Sequence, residues 1–352
     1  MSAFGAGFRT RHPLVLVAAA ALLVPALLAL EAAFTSGAWT RVPLAYCLRN
    51  QRDSFTYISW TVGRVKREPP PAPLVVLTGG SSAREALVSG EGLARDVAAL
   101  GGPRVVAYDL GCINQNFAET LAVADNLPRG AWLLVGVNLG RFTADREDNA
   151  RQVVGRDLLL DSPALRRFVQ RRWHRQRWSW TILPGVFSYL TDVARRDGRQ
   201  VLLLRPPRRA YRQHAYTTPL PRRRKERLVE YWLATRYPVF RRHLGDNLDL
   251  LETLLARCRE RGLHAVVVEL PLNRAVVGDR FDAAVAAYRE PVRRLARRYG
   301  AAYLDVNAGL DIPDRCFRDL SHLLEPGRRA WQRALAAALV ELLSRPAPGG
   351  PG

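Results

Sequence analysis

From Leu74 onward, short apolar runs alternate with longer stretches of helical periodicity, and this alternation constrains the fold of the 352-residue chain more than any other feature. Short β-branched and aliphatic runs bounded by turn formers read as buried parallel strands. Each of these needs a crossover helix to reach its neighbour. The candidate strands are 74–78, 104–108, 131–137, 201–204, 264–270 and 301–306, with helices between them at 82–100, 115–126, 247–261, 280–299 and 326–344. The expected fold class is α/β, a three-layer αβα body around a doubly wound parallel sheet spanning residues 74–345. With 48% hydrophobic residues the chain has the apolar material for it.

Residues 151–242 interrupt the alternation. This stretch holds 22 arginines and one lysine against six acidic residues, so most of the formal +21 charge sits there, beside Trp173, Trp178, Trp180 and Trp232. Two readings stand: a solvated basic insertion, or a docking face for the membrane surface or an acidic polymer, where arginine and tryptophan together meet headgroups or sugars. The charge does not make the chain a nucleic-acid binder, because no recognition helix or aromatic-basic motif accompanies it.

Residues 13–30 form an uncharged apolar stretch about long enough to cross a bilayer as a helix. Arg9 and Arg11 precede it and the next basic residue is Arg41, so the N-terminus is expected in the cytoplasm and everything after residue 35 outside it. A cleaved signal peptide is the rival, disfavoured by the length of the run and by Glu31 where small residues would be needed. The division expected is a cytoplasmic tip and signal anchor at 1–35, a juxtamembrane segment and Pro-rich linker at 36–73, the α/β domain at 74–345 and a disordered tail at 346–352. The four cysteines have no C-x-x-C pair and no histidines at ligand spacing, so no structural zinc is expected; an extracytoplasmic domain leaves room for one or two disulfides.

In an open parallel sheet, reactive groups gather at the carboxyl ends of the strands. The first end reads Gly79-Gly80-Ser81-Ser82, a sharp turn delivering a serine to the start of a helix, although a serine followed by Glu85 is also an ordinary N-cap. The second contains Gly111-Cys112-Ile113-Asn114 and the third Gly136-Val137-Asn138, each with an asparagine suited to an oxyanion hole or simply to a turn. After the last strand comes Asp319-Leu320-Ser321-His322, a carboxylate placed to orient an imidazole. Arg141 reads either as a ligand for an anionic substrate group or as an ion-pair partner. His174, His214 and His243 are expected at the surface, His12 in the leader and His264 at the start of its strand.

These four segments resemble the sequence blocks of the SGNH (GDSL-like) hydrolase superfamily, over roughly residues 74–142 and 262–345. The resemblance implies a flavodoxin-like sheet and a serine acyl-enzyme without metal or cofactor. Ser81 would be the nucleophile, with Asp319 and His322 completing the triad. The oxyanion hole would be formed by Ser81, Asn114 and Asn138. Two departures stand out: Asn114 occupies the block-two glycine position, and Gly80 replaces the usual aspartate, which leaves Ser82 as an alternative nucleophile. Both variants resemble membrane-anchored relatives that serve cell-envelope acylation, including teichoic-acid D-alanylation proteins. The function implied is an esterase or O-acyltransferase acting on O-acylated envelope glycan or exopolysaccharide, with a membrane-bound O-acyltransferase as partner. A catalytically weak assembly protein on the same fold is the alternative.

Overall fold

The computed structural model describes residues 13–150, 158–173, 181–202 and 208–344. Five strands, β1 (Leu74–Thr78), β2 (Val106–Asp109), β3 (Trp132–Val137), β4 (His264–Glu269) and β5 (Ala302–Leu304), form one sheet of order β2-β1-β3-β4-β5. Every pairing is parallel. The longer helices are α1 (Pro13–Thr35), α2 (Ser54–Arg67), α3 (Gly90–Ala99), α4 (Phe117–Asn126), α5 (Pro163–Trp173), α6 (Leu183–Leu202), α7 (Arg222–Tyr231), α8 (Tyr237–Arg261), α9 (Asp282–Tyr299) and α10 (Glu325–Leu343).

Strand side chains alternate between two cores, as a pleat requires. Leu74, Val76, Leu133, Val135 and Val267 enter a core shared with α2, α4, α8 and α9, whereas Val75, Leu77, Leu134, Val266 and Val268 meet α3 and α10. Helices therefore cover both faces, and the crevice at the strand ends stays open.

The strand expected at 201–204 is corrected. Val201 and Leu202 close α6, while residues 203 and 204 lie outside the described residues. An apolar run of four fits a helix end as well as a strand, and the amphipathic stretch leading into it decides for helix. The helix expected at 82–100 is divided in two. Ser89 caps α3 by accepting from the Gly92 N–H, and Gly90 lets the helix start touch β2, since a Cβ there would lie 2.2 Å from the Ala107 carbonyl oxygen.

The segment expected as a juxtamembrane stretch and linker is largely part of the body. Asp53 caps α2 through the Thr56 N–H, and Ile58, Val62 and Val65 recur at helical spacing to enter the larger core. The aromatics and basic residues around that stripe hide it in the sequence. Much of the basic stretch is likewise packed: Leu165, Val169, Val229 and Phe240 are core residues. Trp178, Trp180, His174, Arg9, Arg11, His12 and the tail lie outside the described residues.

Val17–Thr35 of α1 is long and apolar enough to cross a membrane, with a mean hydropathy of 2.2. Its C-terminal end is seated on the body. Leu30 and Phe34 pack with Trp39, Ile182, Val186 and Tyr189, the Phe34 and Trp39 rings stacking at 5.0 Å. Lys66 Nζ, from α2, donates to the Thr35 carbonyl at 2.7 Å. All four cysteines are buried, and none is joined in a disulfide.

Candidate active site

The turn after β1 is built by close backbone approach. Gly79 has a φ of +153°, and a Cβ there would come within 2.7 Å of the Ala83 Cβ. Its N–H donates to Gln115 Oε1, while the Gln115 amide donates to the Leu110 carbonyl, so one buried side chain ties the turn after β1 to the turn after β2. Ser81 then opens a short helix, Ser81–Arg84.

The loop after β5 brings the other groups to it. Phe317 and Leu323 form an isolated antiparallel bridge and the Arg318 N–H donates to the His322 carbonyl, closing the loop that carries Asp319 and His322. His322 Nε2 lies 2.7 Å from Ser81 Oγ across 241 residues of sequence, positioned to accept the hydroxyl proton. His322 Nδ1 lies 2.8 Å from both oxygens of Asp319. Burial of Asp319 opposes its charge. The hydrogen bond from His322, its positive character and the N–H groups of Ser321 and His322 outweigh that burial and hold the carboxyl below its ordinary range. The carboxylate is therefore ionised at neutral pH and fixes the imidazole tautomer that leaves Nε2 as the acceptor.

Ser82 is turned elsewhere: buried, it donates to Ser321 Oγ at 2.9 Å. Asn138 caps the short turn Leu139–Phe142, its side-chain oxygen accepting from the Arg141 N–H at 3.3 Å. That leaves the amide N–H groups as the free end. Asn114 is the single non-glycine residue with positive φ, 54°, among the described residues. Asparagine tolerates this left-handed conformation better than most residues, so it stands where glycine is usual without changing the turn. Ser81, Asn114, Asn138, Asp319 and His322 all line one cavity of about 1200 Å³.

Arg141 also lines this cavity, but its guanidinium is engaged by the protein. It is buried, donates to the Gln115 carbonyl at 2.5 Å and to Thr120 Oγ1 at 2.9 Å, and lies 4.4 Å over the Phe117 ring. Burial pushes its pKa down to about 10. It braces the loop after β2 from beneath, against α4. His214 is also corrected: it is half-buried, with Nε2 donating to the Val88 carbonyl at 2.9 Å and Nδ1 3.4 Å from buried Glu85.

Several supporting residues carry no signal of their own in the sequence. The segment 208–220, from the basic stretch, runs beside the site: Tyr216 packs edge-on against the His322 ring at 5.1 Å, and Gln213 donates to Asp109. Lys225 of α7 is buried and donates to the Asp314 side chain, the Asp314 carbonyl and the Phe317 carbonyl. Asn273 donates from its amide to Asp314 and to the Asp319 carbonyl. Together they clamp the N-terminal side of the loop that bears His322.

Asp109, at the end of β2, is buried, and burial pushes its pKa up to about 7 against the hydrogen bond from the Gly111 N–H. The unfolded chain ionises this carboxyl near pH 4, about three units lower. The native state thus retains a proton that the unfolded state loses, and stability falls as pH rises from about 4 to about 7, then levels off. Asp109→Asn is expected to flatten that slope in a Tm-against-pH series, with Gln213 turning its amide oxygen to the new side chain. An unchanged slope would move the effect to other groups.

No protein-family model matches the chain, and no curated protein matches it. Among solved structures it is similar to LAE5, an alpha/beta hydrolase enzyme from the metagenome of Lake Arreo, Spain, at 12% identity over 78% of this chain and 97% of that one, with a TM-score of 0.36. A likeness this loose leaves the functional reading to the site itself.

Proposed function

We propose that the chain is a serine acyl-transfer enzyme of SGNH type, an esterase or O-acyltransferase held at the outer face of the cell membrane by α1. The observation that carries this reading is the Ser81–His322–Asp319 chain of contacts, which no local sequence effect assembles. His322 Nε2 takes the Ser81 proton as Oγ attacks the acyl carbonyl, and the Asn138 amide with backbone N–H groups near Ser81 and Asn114 receives the oxyanion. His322 then protonates the departing alkoxide, leaving the acyl group on Ser81. Water or a sugar hydroxyl, deprotonated by the same imidazole, attacks that ester and restores Ser81. An outward-facing anchored site suits O-acetylated envelope glycan or exopolysaccharide, and a membrane-bound O-acyltransferase in the same bilayer suits it as partner. A fluorophosphonate probe tests the nucleophile: mass spectrometry should find the adduct on Ser81. An adduct on Ser82, or none, overturns the assignment.

Retention of α1 is supported by Phe34, which cleavage near residue 35 would remove from its apolar cluster. Full-length protein is expected in the membrane fraction with its N-terminus intact. A chain begun at Pro69 is expected to aggregate, because it lacks the Ile58, Val62 and Val65 stripe of α2. Release of a chain with a new N-terminus near residue 35 would establish a signal peptide instead.

A further inference from the structure

The helices α7 and α8 form one continuous run, broken only by a π-helical turn at Trp232–Arg236. Such turns carry one residue more per hydrogen-bonded ring than an α-helix. They are rare and frequently mark functional sites. This one lies at the rim of the cavity that contains Ser81 and His322: Leu228, Tyr231, Trp232 and Arg236 all line it. Tyr231 is 55% exposed, and its hydroxyl has no hydrogen-bond partner in the protein among the described residues. Trp232 is half-buried, its ring held at 4.6 Å from Phe281 and 6.2 Å from Phe240. Two adjacent aromatics, one fixed and one free, thus face the space in front of the serine.

The space is larger than an acyl group needs. A cavity of about 1200 Å³ exceeds the volume that usually encloses a small ligand whole, which is up to ~1000 Å³. The surplus belongs to whatever carries the acyl group. Its walls also bear Asn138, Asp148, Glu269 and Asn307. A long hydrocarbon chain laid along them would leave the Asn138 amide without a partner, although Phe55, Ile113, Leu139 and Leu272 give the same walls apolar stretches. A sugar ring has the complementary surface: an apolar C–H face for an aromatic ring and a rim of hydroxyls for amides and carboxylates. Tyrosine and tryptophan combine an apolar body with a polar tip, which fits that mixed surface.

We propose that Tyr231 and Trp232 form a stacking platform that seats a sugar ring of the acyl-bearing glycan within the cavity of Ser81. This rests on the acyl-transfer reading and adds the residues that seat the sugar. The π turn is what presents the platform, since in a regular helix the residues from Trp232 to Arg236 would be rotated away from their present positions along the rim.

The test uses full-length protein in detergent, unsubstituted and as Tyr231→Ala and Trp232→Phe. Three small esters are compared: a partially O-acetylated xylo-oligosaccharide, 4-nitrophenyl acetate and 4-nitrophenyl decanoate. In Tyr231→Ala the ratio of kcat/KM for the oligosaccharide to that for 4-nitrophenyl acetate should fall about tenfold, mainly through KM. Trp232→Phe keeps the packing on Phe281 and should give a smaller fall. An unchanged ratio overturns the platform, and a loss confined to the decanoate identifies an acyl-chain seat instead. Binding of the deacetylated oligosaccharide, measured by calorimetry, is independent of turnover. Binding that weakens in Tyr231→Ala supports the platform even where no ester is cleaved, in which case acyl transfer fails and the platform stands; no binding by the unsubstituted protein overturns the platform.

Discussion

Turnover of an acetyl ester should fall by at least about 10⁴-fold when Ser81 or His322 is replaced by alanine, and the double variant should be little worse than either single one. The two residues act as one unit. Without the Ser81 hydroxyl there is nothing to acylate, and without the His322 imidazole the hydroxyl stays protonated at neutral pH. Asp319→Ala should cost less than either, because it removes the group that orients the base and not the base, and the Phe317–Leu323 bridge and the Arg318 N–H to His322 carbonyl bond still close the loop. Stability should change little for Ser81→Ala, a small side chain at the cavity wall. Equal far-UV circular dichroism and Tm would therefore separate lost chemistry from lost folding. If Ser82→Ala removed activity and Ser81→Ala did not, the hydrogen bond between Ser82 and Ser321 would have to break in the working enzyme, and the nucleophile would be reassigned.

Lys225→Met should destabilise the protein by about 1–3 kcal/mol, the cost of leaving acceptors without the buried donor that now satisfies them. Lys225 is almost wholly buried and its ammonium reaches three acceptors: the Asp314 carboxylate and the carbonyls of Asp314 and Phe317. Methionine fills similar volume and satisfies none of them. The pairing with Lys225 helps hold Asp314 below its ordinary pKa despite burial, so the partner left behind is a charged carboxylate with a single amide donor, Asn273. Phe317 lies two residues before Asp319, and the disturbance should therefore reach the triad. Activity per folded molecule should fall at least tenfold, beyond the loss of stability read from denaturant unfolding. Lys225→Arg should rescue poorly, since a planar fork does not match three acceptors converging on one point. Wild-type turnover in a destabilised Lys225→Met protein would make the lysine a purely structural support.

The positions of five strands and of the loops that follow them were legible because a buried parallel strand has a local signature: a short aliphatic run closed by glycine or a polar turn. Ser81 and Asn138 could be read for the same reason, each standing just past a strand end, whereas Asp319 and His322 were legible from their own spacing in the long loop after the last strand. Residues 201–204 misled because four apolar residues have no period of their own. The α2 helix was missed because its three core residues are spread among Tyr57, Trp60, Arg64, Lys66 and Arg67, which suggest an exposed segment.

Sequence alone determined the alternation, and with it the layered α/β class, the parallel sheet and the set of loops that had to converge. Tertiary structure decided between neighbours in sequence. Ser81 and Ser82 are equivalent as letters, but successive residues of a helical turn project about 100° apart, and only packing against the loop after β5 shows which of them meets His322. Arg141 could be read as facing a substrate until the crowding of α4 beneath it turned the guanidinium inward. Lys225 reads as one more cation in a basic run, yet it is the buried clamp of the triad loop. Local periodicity reports which face of an element is apolar. Which polar group reaches which partner across hundreds of residues depends on the distances that the closed fold imposes.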